Sequence, residues 1–211
     1  MKYLALFMSM ISFIQVGVKH ENSKGALVGA DTTQQKLNLQ ASEMSPDKKK
    51  IIGFIQIIQP KYPMAKVKQI ADVIFLASKR YRIDPYVITT TAYVESEFDM
   101  KSKPCIGIMQ MLGSTIRSEY KGTKHDPRTV QGNIMLGTDY LKKILDMQKN
   151  KSNSPSRISA DWRFYRLMWG RYSGYGSGSF YVKRNQTVLH SLKTLSLDKL
   201  KAKIKSKGHI W

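Results

Sequence analysis

Glu95 and Ser96 stand side by side in "YVESEF", and Gly107, Met109 and Gln110 follow in "GIMQM". A carboxyl next to an apolar run costs free energy unless it has a task, because burial penalises the charged form. Ile88, Ala92 (or Thr91) and Glu95 lie three and four positions apart, so Glu95 continues the stripe that faces the core. Glu97 is rotated by about 200° from it and is expected to face water. Glu95 falls in the last turn of its helix, where the dipole disfavours negative charge. Burial acts in the same direction, towards a carboxylic acid still protonated near neutrality. Such a group can donate a proton to a departing sugar oxygen.

Several helices are needed to hold it. Ser45-Pro46-Asp47 opens one, with proline in the first turn, and Pro60 and Pro63 end it. "AKVKQIADVIFLASKRY" sets Val67, Ile70, Ile74 and Ala77 at helical spacing, and Asp84-Pro85 caps the helix that carries Glu95. Asp126-Pro127 caps "RTVQGNIMLGTDYLKKILDMQ", in which Asn133 and Gly137 serve packing; "DWRFYRLMWGRYS" supplies another helix before "GYGSGS" breaks it. "SLDKLKAKIKSK" reads as a basic, fraying helix with a solvated lysine face. No strand pattern emerges, and the fold class is mainly α.

Of 211 residues, 42% are hydrophobic, enough for one ordinary core. Lys and Arg number 35 against 15 Asp and Glu, a formal net charge of +20 that favours a polyanion. The single cysteine, Cys105, excludes an internal disulfide and a cysteine-based metal cluster. After Met1-Lys2 comes an uncharged apolar run of about 16 residues, short for a membrane span and suited to a signal peptide. The expected organisation is residues 1–18 as signal peptide or N-terminal anchor, 19–45 as polar linker, 46–190 as catalytic domain and 191–211 as basic tail. Export to the periplasm or cell envelope follows, with phage association as a further setting.

The ordered set "VESEF", "GIMQM", "DPRTVQGNIMLGTDYLKKIL" and "RYSGYG" resembles the motifs of soluble lytic transglycosylase (SLT) domains, which share the goose-type lysozyme fold with its substrate groove. The resemblance spans roughly residues 70–189. It implies cleavage of the β-1,4 bond between N-acetylmuramic acid and N-acetylglucosamine in peptidoglycan without water, leaving 1,6-anhydro ends. It maps the catalytic acid, later the base, onto Glu95 and a supporting serine onto Ser96. Met109 and Gln110 would line the groove, with Gly107 allowing close approach to substrate. Tyr172 would help to position the carboxylate, and Ser173 would stand beside it. One carboxyl suffices, because the sugar's own 6-hydroxyl is an intramolecular nucleophile of high effective molarity. No cofactor or metal is implied, and a monomer is expected.

The sequence departs from the pattern where Ser173 replaces Asn and Arg171 replaces Ala. Gly113 stands where proline is common, and the segment from Phe98 to Gly107 is short. Two alternatives stay open on the same fold: a hydrolytic muramidase, or an inactive wall-binding module. A nucleic-acid binder would explain the charge but not the ordered motifs, so no nucleic acid is expected. The charge can also serve anionic wall polymers or a membrane surface. His125-Asp126 reads as a surface turn, not a metal or catalytic pair. "GYGSGS" lacks the strand and Lys-Ser/Thr of a phosphate-binding loop.

Overall fold

The computed structural model describes residues 45–101, 105–149, 162–174 and 179–211. The apolar run, the linker to residue 44, and most of the loop after Lys149 and of "GYGSGS" lie outside the described residues. Eight helices follow one another among the described residues: α1 (Pro46–Ile58), α2 (Met64–Tyr81), α3 (Pro85–Ser96), α4 (Gly113–Glu119), α5 (Val130–Lys149), α6 (Trp162–Tyr172), α7 (Phe180–Thr194) and α8 (Leu197–Lys207). One isolated antiparallel bridge, Ile106 with Met111, is the sole extended pairing among them. The architecture is all-α, as the sequence pattern requires.

Helix α3 is the axis of the fold. Every residue from Tyr86 to Val94 is buried, with α2 and α7 packed against the helix. Its Thr89-Thr90-Thr91 run is poor in helix propensity, so packing and not propensity sustains it. Two of these hydroxyls return to the helix backbone, Thr89 to the Pro85 carbonyl at 2.7 Å and Thr91 to that of Val87 at 2.9 Å. Thr91 also accepts from the Trp169 indole N–H at 2.9 Å, tying α6 to α3. The Asp84 carboxylate caps the start by accepting from the Tyr86 N–H at 2.8 Å.

The other end of α3 is strained. Glu97 and Phe98 lie at φ +53° and +66°, in the left-handed region that bulky residues avoid. The Phe98 ring, fully buried, stacks with Tyr93 and meets Phe54 edge-on at 5.9 Å, which offsets the backbone cost. Gln59 Nε2 donates to the Glu97 carbonyl at 2.8 Å and the Tyr62 hydroxyl to that of Phe98 at 3.3 Å. The chain therefore turns sharply one residue after Ser96.

Three local features differ from expectation. Helices α4 and α7 are not among the elements expected from the sequence. Asp126 does not cap α5: its carboxylate accepts from the Arg128 N–H at 2.9 Å, and the Thr129 hydroxyl accepts from the Gly132 N–H at 3.0 Å. The basic C-terminal segment is a docked helix. Ser196 caps α8, Leu200 is fully buried, and α8 packs on α1. Gly53 permits the approach, since a Cβ there would lie 2.4 Å from a Leu197 methyl. Past Gly208, Ile210 is fully buried, and Trp211 packs on Tyr93 with ring centroids 5.3 Å apart.

Candidate active site

Glu95 sits half-buried in the last turn of α3, while Glu97 is exposed, as the helical phase requires. The Tyr181 hydroxyl, from the first turn of α7, donates to Glu95 Oε1. Desolvation pushes the Glu95 carboxyl up to about 7, although the Tyr181 hydrogen bond and then the Arg184 charge favour its ionised form. Burial outweighs both. The carboxyl is thus poised to hold and release a proton near neutrality.

The "GIMQ" segment is the tip of a tight hairpin. Ile106 and Met111 exchange backbone hydrogen bonds of 3.0 Å in both directions, and the Gln110 N–H closes the turn onto the Gly107 carbonyl at 3.1 Å. Three side chains from three helices clamp it. The Ser96 hydroxyl donates to the Ile108 carbonyl at 2.8 Å. Asn133 of α5, fully buried, accepts from the Met109 N–H at 2.7 Å and donates to the carbonyls of Ile106 and Pro127 at 2.8 and 3.1 Å. The Tyr172 hydroxyl donates to the Met109 carbonyl at 2.6 Å. A turn with its polar groups so committed is rigid.

This geometry redistributes several expected roles. Ser96 supports the turn from the helix that carries Glu95. Gly107, at φ +71°, faces inward, for a Cβ there would lie 2.3 Å from Asn133 Nδ2. The turn and Asn133, not substrate approach, account for this glycine. Met109 is fully buried and packs where Gly137 leaves room, 2.5 Å from its hypothetical Cβ, so the methionine is core and does not line a groove. Gln110 is half-buried at φ +45°, and its amide donates to the Gly107 carbonyl at 2.8 Å. Tyr172 braces the turn and does not hydrogen-bond the carboxylate; its hydroxyl is raised well above the usual range, by burial first and then by the Glu95 charge. The Ser173 hydroxyl donates back to the Gly170 carbonyl at 3.3 Å at the end of α6.

Three residues escaped the sequence reading. The Tyr181 hydroxyl, and not that of Tyr172, hydrogen-bonds Glu95, and burial followed by Glu95 raises it well above the usual range. Asn133, expected to serve packing, instead holds the turn from α5 through the Met109 N–H and the Ile106 carbonyl. Arg184 stands one turn after Tyr181, with its guanidinium carbon 3.5 Å from the Trp211 ring centroid, a cation–π contact that holds it near Glu95. The spacing of Tyr181, Asn185, Val188 and Leu192 is a helical signal that could have revealed α7. Among the described residues no group of three His, Cys, Asp or Glu side chains could hold a metal ion.

A family model described as "Transglycosylase SLT domain" matches residues 72–191, the span from α2 through α7 that holds Glu95, the clamped turn and Tyr181. No curated protein and no solved structure shows a match.

Proposed function

Since the chain belongs to the transglycosylase SLT family, which gives it a role on peptidoglycan, we propose that it cleaves the MurNAc-β-1,4-GlcNAc bond without water, with Glu95 as acid and then base. One observation carries this reading: a single carboxyl, raised to about 7 by burial and held by Tyr181, at the end of the central helix. Protonated Glu95 gives its proton to the glycosidic oxygen as the C1–O bond breaks and an oxocarbenium-like centre forms at C1. The resulting carboxylate takes the proton of the sugar's 6-hydroxyl, whose oxygen bonds to C1 and closes the 1,6-anhydro ring. The proton count balances, and Glu95 ends protonated.

Among the described residues, the side chains that shift the Glu95 carboxyl are Tyr181 and Arg184. An inverting hydrolase needs a second carboxylate to activate water, whereas an intramolecular hydroxyl does not. Tyr181 fixes the carboxyl rotamer and stabilises the carboxylate between the two proton transfers. This work requires export, for which the apolar run from Tyr3 to Val18 is the proposed signal. Residues 46–190 are the proposed catalytic region.

The test is release of soluble muropeptides from purified sacculi by the wild type and by Glu95→Gln. Loss of about 10²–10⁴-fold in the variant is expected for removal of a general acid–base. Unchanged release would remove Glu95 from the mechanism.

A further inference from the structure

Between α1 and α8 runs an apolar trough of about 640 Å³, with Ile52, Ile57, Met64, Leu197 and Ile204 in its lining and Lys201 and Lys205 among its charged edges. Both walls lie outside residues 72–191, the matched family domain. None of the lining residues belongs to the candidate active site. Met64 is 47% exposed, a large apolar side chain left in water at the start of α2. Helix α8 carries lysines at 199, 201, 203, 205 and 207 against one acid, Asp198, and all of these lysines but the half-buried Lys203 are exposed.

We propose that this trough seats an acyl chain of an anionic phospholipid at a bilayer surface, with Lys201 and Lys205 on its phosphate. The floor is mainly aliphatic, and its one amide, Gln56, is turned to the Gln59 and Pro60 carbonyls at 3.4 and 3.3 Å, so the trough matches a lipid tail better than a glycan. Lysines beside an apolar strip are the arrangement by which peripheral helices hold anionic leaflets. Charge complementarity selects a negative headgroup over a zwitterionic one. Among the described residues no helix is long and apolar enough to cross a membrane. The lipid contact would be peripheral. This inference does not depend on the catalytic reading, and Glu95→Gln should bind vesicles as the wild type does.

The test is flotation of the full chain with phosphatidylcholine vesicles, with and without phosphatidylglycerol. Phosphatidylglycerol should strengthen binding, and raised salt should weaken it. The double variant Lys201→Glu/Lys205→Glu should lose about tenfold or more of the phosphatidylglycerol-dependent part. Met64→Glu should lower it as well. That change lies at a helix N-terminus, where an acid favours the helix, and the folded state of each variant is checked by its melting curve. Binding from the apolar run is common to all variants and cancels. Three results would overturn the proposal: binding indifferent to phosphatidylglycerol; loss in the lysine variant but none in Met64→Glu, which would mean charge alone; or unchanged vesicle binding with lost retention on sacculi, which would make a wall polymer the occupant.

Discussion

Protonated Glu95 is the working form in this account, and its environment makes that form common at neutral pH. The folded-state value near 7 lies above the ordinary carboxylate range of the unfolded chain. The unfolded chain therefore loses its proton first, and stability falls as pH rises between the two values. The penalty is absent at pH 4 and complete above pH 7, of the order of 3 kcal/mol. Glu95→Gln should accordingly raise the melting temperature at pH 8 and change it little at pH 4, as calorimetry at the two values would show. Activity should decline above neutrality as Glu95 ionises. Tyr181→Phe removes a hydrogen bond to the carboxylate, so the alkaline limb of the kcat/KM profile should move to higher pH, with kcat lower by roughly 10–100-fold through lost positioning. Tyr172→Phe should leave that limb nearly in place, because its hydroxyl serves the Met109 carbonyl.

At the scale of elements, the clamped hairpin is the feature most exposed to single changes. Asn133→Ala would leave the Met109 N–H without its partner and the Ile106 carbonyl with the Met111 N–H alone, at a cost of about 2–4 kcal/mol by chemical denaturation. Gly107→Ala adds a left-handed alanine and a collision with Asn133, and a similar loss is expected. The sequence made α3, its Asp84 cap and the outward turn of Glu97 legible, since phase and capping are local signals. Burial of Glu95 could be read from Ile88 and Ala92 for the same reason. The choice between two tyrosines could not. Tyr172 and Tyr181 sit nine residues apart, and only the packing of α7 along α3 brings the second to the carboxylate. Asn133 was equally opaque, for its three partners lie 6, 24 and 27 residues away in the chain.

In the whole molecule, the matched domain is bracketed by α1 and α8, which pack on each other. The C-terminal turn then carries Ile210 and Trp211 to the back of Tyr93, two residues before Glu95. Composition alone read this segment as a solvated basic tail. Its lysines obscured the apolar residues that dock it, among them Leu197, Leu200, Ile210 and Trp211. Ile210→Ala should destabilise the protein by about 2–4 kcal/mol, measured as a lower denaturant midpoint at unchanged slope. A free tail would tolerate the change. The most direct test of the central claim is digestion of purified sacculi in water enriched in oxygen-18, with mass spectrometry of the released ends. Cleavage without water gives anhydro-muramoyl ends carrying no heavy oxygen, absent with Glu95→Gln. Reducing ends that carry one oxygen-18 would contradict it and make the protein a hydrolase.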